Sequence, residues 1–302
     1  MTSTRSIDRD DLPLKTYRYL RIAMSGAVLT LTVSIVIERL NVSCWQTSVS
    51  GYYYTPVRAI FVGALMAIGA NLIVIKGGTT WEDIFFNFAG VMAPAVAVLP
   101  TTNVGRCWSV DPPSSPVDTN GNLAAWVVGN IENNTRSLLI AGFIGLAVAA
   151  LIAMISDRAI LGPARVGTAP LRWGLLATGF LLVAILALHL YWNNFATKAH
   201  GFSALIMFVF LGAGILSNAL QRRNRDDRRT YMIAYFSIVG AMALAGLLLL
   251  PVFDEWDHRT LVLEAIEVAL FLVFWLFQTN ELWNETSLSQ PLSPVTEGSE
   301  AH

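Results

Sequence analysis

The sequence predicts an all-α, polytopic membrane helix bundle with eight transmembrane helices, and three observations carry that prediction. Hydrophobic residues make up 54% and charged residues 14% of the 302-residue chain, where a soluble domain carries roughly a quarter charged. Apolar runs close to the ~20 residues that cross a bilayer recur at 20–38, 57–75, 84–100, 137–155, 173–191, 202–220, 232–252 and 261–278. The Lys and Arg residues then alternate between the loops, fourteen on the side of both termini and six on the other. By the positive-inside rule, both termini face the cytoplasm, and the expected location is the plasma (inner) membrane.

In chain order, residues 1–19 read as a cytoplasmic amphipathic lead, 20–280 as the eight-helix domain, and 281–302 as a disordered cytoplasmic tail. The lead is polar and charged and lacks a cleavable signal pattern, so the first span itself directs insertion. The stretch Ser48 to Arg58 contains Tyr52, Tyr53 and Tyr54, a composition suited to an interfacial aromatic belt or to a hydroxyl-rich wall over an outer cavity. Pro56 suits the first turn of the second helix. Gly77-Gly78 stops that helix, and Thr79 with Glu82, or Thr80 with Asp83, has capping-box spacing for the third. Asn71 and Asn87 are expected to hydrogen-bond neighbouring helices, and Pro94 to kink the third.

The long outer loop, 101–136, contains the helix-forbidding run Asp111-Pro112-Pro113-Ser114-Ser115-Pro116. Its apolar piece Leu123–Ile131 fits either a short interfacial helix or a buried loop segment. Ala141, Gly145, Ala149 and Ala153 recur every four residues in the fourth span, a small-residue ridge that permits close helix approach. Glu281–His302 contains Ser, Pro and Glu but no Lys or Arg, and too little apolar surface to order itself. The only cysteines, Cys44 and Cys107, fall in outer loops, where a disulfide persists.

No high-specificity nucleotide, metal or protease motif is present. Charged residues inside spans therefore carry the functional reading, because ionisable groups there face the bundle interior or a cavity. Glu264 and Glu267 are spaced i, i+3 and share a helix face. At the same outer level lie Arg58, His189, His200 and Glu38, with Asp254, Glu255, Asp257 and His258 in the last outer loop. One reading pairs Arg58 with Glu264 or Glu267, as a buried charge requires. Another takes the carboxylates as contacts for a cationic or hydroxylated ligand, or as proton carriers. A third places zinc on His189, His200 and His258, although no His pair has the i, i+4 spacing of helix-borne zinc sites.

The runs SVSGYYYTPVRAIFVGALMAIGANLIVIKGG (48–78), WED (81–83), HGFSAL (200–205) and LEAIEVALFLVFW (263–275) resemble a group of uncharacterised bacterial multi-pass membrane proteins. The resemblance implies that Tyr53, Arg58, His200, Ser203 and Glu264 belong together; it supplies no activity. A more distant likeness is to the alkaline ceramidase and adiponectin receptor superfamily, whose zinc hydrolase site uses Ser, His and Asp. This chain lacks a His-x-x-x-His pair in the last span.

The leading expectation is an integral membrane protein with an outward-facing polar cavity that binds a lipid or a small hydrophobic or cationic molecule. The alternatives are a metal-dependent hydrolase of a lipid amide or ester and a proton-coupled transporter. No cofactor is expected on the first reading and zinc on the second; membrane lipids are the expected partners and nucleic acid is not. The charge asymmetry predicts that a reporter fused to the C-terminus is active only if it is a cytoplasmic reporter; activity of a periplasmic reporter there would overturn the topology.

Overall fold

The computed structural model describes residues 11–75, 77–105, 107–111, 114–118, 120, 122–159, 168–223, 228–249 and 256–283. Residues 1–10 of the lead, residues 284–302 of the tail, and Asp254 and Glu255 lie outside the described residues. Within them the chain is helical: α1 (Asp11–Val42), α2 (Arg58–Val74), α3 (Thr80–Val98), α4 (Ala125–Ala159), α5 (Thr168–Tyr191), α6 (Phe195–Gln221), α7 (Arg229–Leu249) and α8 (Arg259–Glu281). A 3-10 turn, Ser50–Tyr54, stands before α2, and the sole extended pairing described is the isolated Val117–Leu123 bridge.

Five of these helices, α1, α4, α6, α7 and α8, are long and apolar enough to cross a membrane. Their outward faces are apolar: Leu29, Val33 and Ile37 on α1, and Ile140, Ile144 and Ile152 on α4, are exposed. A soluble protein rarely carries so large an apolar surface, so the solvent of these faces is hydrocarbon and the protein is membrane-embedded.

Six helices close a ring in which α1 packs on α2, α2 on α3, α3 on α6, α6 on α7, α7 on α8 and α8 on α1. The α4–α5 hairpin stands outside and touches the ring through α3 and, where His189 meets Phe195, through α6. Two close approaches set the ring's spacing. Gly69 of α2 faces Gly90 of α3, and a Cβ on either would lie 2.6–2.7 Å from the other's carbonyl oxygen. Gly214 of α6 accepts the Phe86 ring at 2.4 Å from where its Cβ would be. Pro94 seats its ring over Gly69, and α3 continues through it to Val98.

The ridge that holds the hairpin differs from the expected one. Ala141, Gly145 and Ala149 are exposed, whereas Gly142 packs against Leu182 and Gly179 against Leu146. Likewise Leu123–Ile131 forms neither an interfacial helix nor a buried loop: from Ala125 it is the start of α4, whose 35 residues span about 52 Å at 1.5 Å per residue. That exceeds the ~30 Å hydrocarbon core, so α4 projects beyond it. Asn71 turns back to its own helix, donating to the Ala67 carbonyl at 2.8 Å, instead of bridging to a neighbour.

The two ends of the ring are held differently. At one end Cys44 and Cys107 form a disulfide with a Cα–Cα distance of 6.0 Å. Around it the segment 43–57 folds inward as a plug. Leu261 N donates to Thr47 O at 3.0 Å, Ser48 Oγ to Asn103 O at 2.8 Å, Tyr54 Oη to Thr101 O at 2.9 Å, and Gln46 Nε2 to Cys107 O. Ser109 donates through its N and Oγ to Glu38 at 2.9 and 2.8 Å. The three tyrosines are 1%, 2% and 7% exposed, so they pack the plug and form no interfacial belt. Burial pushes the Tyr52 and Tyr54 hydroxyls above their ordinary pKa.

The opposite end holds a buried polar network. Glu82 is placed by its cap: Thr79 Oγ1 accepts from Glu82 N at 3.2 Å, and Glu82 Oε2 accepts from Gly78 N at 2.7 Å. The remaining oxygen of Glu82 accepts from Gln278 Nε2 at 2.9 Å, which also reaches Asn218 Oδ1 at 3.1 Å. Gln278 Oε1 accepts from Arg21 Nη1 at 3.1 Å. Glu281 accepts from Arg222 Nε at 2.6 Å and from Tyr235 Oη at 2.7 Å, and pairs with Arg228 at 3.2 Å. Glu281 therefore belongs to α8 and its core, not to a disordered tail, because two guanidinium groups and a phenol compensate its burial.

Removing Glu281 would leave Arg222 buried without its anion, a loss worth about 3 to 5 kcal/mol for a buried pair. Glu281→Ala is accordingly expected to lower the thermal midpoint in detergent sharply, and Arg222→Leu added to it to recover part of the loss. Additive losses in the double variant would show that the two do not act as a pair.

Candidate functional site

A cavity of about 820 Å³ lies against α6, α7, α8 and the loop after α3. Its lining on α6 runs from Thr197 to Leu216, about 28 Å of helix at 1.5 Å per residue. That wall is one helical face of small and apolar residues, including Ala204, Phe208, Gly212 and Ala213, and Val239 to Gly246 of α7 oppose it. The polar groups gather at the disulfide end: Thr101, Asn103, Lys198, His200, Glu264 and Glu267. The cavity is therefore amphipathic along its length.

Each polar group is positioned by a neighbouring element. His200, on the second turn of α6, is 5% exposed, and its Nδ1 lies 2.5 Å from the Leu99 carbonyl oxygen at the end of α3. A carbonyl only accepts, so Nδ1 carries the proton, and Nε2 of the neutral ring is an acceptor. That Nε2 has no hydrogen-bond partner among the described residues. Glu264 is held by Ser50 of the plug, whose N and Oγ donate to its two oxygens at 3.2 Å each. Glu267, one turn deeper, is 7% exposed, and its Oε2 has no hydrogen-bond partner among the described residues.

Of the residues grouped by the sequence, the fold brings Glu264, Glu267 and His200 to one cavity. The others lie elsewhere. Arg58 is exposed at the start of α2, donates through Nη2 to Tyr53 Oη at 2.7 Å and covers the Tyr53 ring at 4.3 Å. It makes no ion pair with Glu264 or Glu267; the ion pairs among the described residues are Arg136–Glu132, Arg222–Glu281 and Arg228–Glu281. The reason is geometric, since Ser50 already occupies Glu264 and the buried Tyr53 ring draws the guanidinium aside. Ser203 is not among the residues lining the cavity.

The three histidines of the zinc reading do not converge. His189 packs its ring on Phe195 at 5.1 Å, His258 sets Nδ1 3.2 Å from Gln46 O, and His200 faces the cavity. Among the described residues no three His, Cys, Asp or Glu side chains gather as a metal-ligand group. The sequence reading missed Ser50, Lys198 and the apolar wall of α6. A signal for the wall was present, because Gly201, Leu205, Phe208, Gly212 and Leu216 recur at helical spacing.

No family model matches the chain, and neither a curated protein nor a solved structure matches it. The functional reading therefore rests on the geometry of the cavity.

Because Arg58 touches a tyrosine at an exposed site, Arg58→Ala should cost only about 0.5 to 1 kcal/mol, the range of an exposed cation–π contact. Thermal midpoints should also show Glu264→Gln acting independently of it. A large loss relieved by Glu264→Gln would restore the ion-pair reading.

Proposed function

We propose that the protein crosses the membrane eight times with both termini in the cytoplasm, and that it binds an amphiphile in a cavity opening toward the outer leaflet. The charge asymmetry supports the orientation, and it sets the disulfide and the plug on the oxidising side, where a disulfide persists.

The observation that carries the binding reading is the lengthwise division of the cavity: carboxylates and an imidazole at one end, and an apolar furrow on α6 and α7 along the rest. Ligand pockets of about 300 to 1,000 Å³, mostly apolar with a few convergent polar groups, are the ordinary form of small-molecule sites. A molecule with one polar head and an apolar body matches both parts. The lining ends at Leu216, short of the Asn218–Gln278 network, which supports a pocket entered from one side over a through-path for transport. Among the described residues the histidines gather into no metal-ligand trio, which favours the binding reading over the hydrolase one.

A Cβ at Gly212 or Gly246 would meet nothing within 4 Å, so both positions face open space. Gly212→Leu and Gly246→Leu should fill the furrow and leave the fold intact. Native mass spectrometry of the detergent-purified protein is expected to show bound lipid on the wild type and its loss from the double variant at an unchanged thermal midpoint. Equal lipid occupancy in both proteins would overturn the reading.

A further inference from the structure

Resting on the reading that this cavity takes an amphiphile, we infer that the head group it selects is a primary ammonium. The polar end of the cavity offers acceptors. His200 Nε2 accepts because Nδ1 is committed to Leu99 O. Glu267 Oε2 is buried without a partner among the described residues. Glu264 accepts one hydrogen bond at each oxygen from Ser50, and a carboxylate has about four lone-pair sites, so it retains capacity on the cavity side.

Charge selects among donors. Two carboxylates on one face of α8, with no ion pair to either among the described residues, repel an anionic head and favour a cation. Lys198 is on the lining but exposed, and it pairs with neither. A neutral hydroxyl would donate one hydrogen bond and leave the charge uncompensated. An ammonium donates three and carries the compensating charge. A quaternary ammonium carries the charge without N–H donors and is recognised by aromatic cages; Phe208 is the one aromatic side chain on the lining. The apolar furrow then receives the chain that bears the amine. Such a ligand is either a membrane aminophospholipid or a free long-chain amine, and both present a primary ammonium.

The test measures binding to full-length protein in nonionic detergent by ligand-dependent thermal shift. The probes are dodecylammonium, dodecyltrimethylammonium and dodecanol, together with a short-chain phosphatidylethanolamine and its phosphatidylcholine counterpart. At neutral pH an alkylamine is protonated, as a lysine is. Dodecylammonium should bind at least about tenfold more tightly than its trimethyl analogue or the alcohol, the scale expected when charge-assisted hydrogen bonds are lost. Glu267→Gln should weaken dodecylammonium far more than dodecanol and so remove that preference, and Glu264→Gln gives a second, independent reduction. Phosphatidylethanolamine behaving like dodecylammonium identifies a lipid source; a response to the free amine alone identifies a non-lipid one. If all three dodecyl probes bind equally and both Gln variants are neutral, the ammonium assignment is wrong although the cavity still binds amphiphiles. If no probe binding responds to Gly212→Leu, the cavity reading itself fails.

Discussion

A buried carboxylate that keeps its charge in a membrane bundle is stabilised by partners from other segments, and Glu281 has them in Arg222, Arg228 and Tyr235. These partners come from the end of α6, the turn before α7, and α7 itself, so one charge fixes where three segments meet. Gln278, one turn earlier on α8, extends the constraint to Glu82 of α3, Asn218 of α6 and Arg21 of α1. Lipid tails offer helices no hydrophobic drive to associate, and packing and polar contacts must supply it. The ring is consequently registered at this end.

The disulfide end is organised by backbone groups more than by charge. The plug 43–57 accepts a main-chain hydrogen bond from Leu261 N of α8 at Thr47 O, and its Ser48 and Gln46 side chains donate to the main-chain carbonyls of Asn103 and Cys107. Irregular backbone at membrane depth persists only where protein satisfies it, and the buried tyrosines exclude solvent from these bonds. Ser50 links the plug to Glu264. The same segment that seals the end therefore also aims one of the two carboxylates, which couples the plug's integrity to the cavity.

The contrast between the ends explains why the site lies where it does. At the network end the acids, amides and the Arg222 guanidinium close on one another. At the other end, Glu267 Oε2 and His200 Nε2 are buried with spare acceptor capacity beside an apolar furrow. Both atoms lie on the lining of the cavity proposed to receive a ligand.

The sequence by itself determined the helical class and the positions of α2, α3, α5, α7 and α8 to within about five residues, while α1, α4 and α6 begin seven to twelve residues before their apolar runs; it also offered the Thr79 cap as one of two and the pairing of the two cysteines. These are local or compositional properties: hydrophobic length, capping-box spacing and cysteine count do not depend on which helix packs on which. It also placed Glu264 and Glu267 on one face, since i, i+3 spacing is a property of a single helix. Tertiary structure alone decided the partners. Arg58 and Glu264 share a depth, yet Tyr53 and Ser50 separate them, and Ala141 and Gly145 have packing spacing, yet Gly142 makes the contact. Arg21, Arg222 and Glu281 look in the sequence like flanking charges of a topology signal, because nothing along the chain tells a solvated guanidinium from one buried against a helix 257 residues away. Depth in the bilayer can be read from one helix, whereas position in the plane requires all of them.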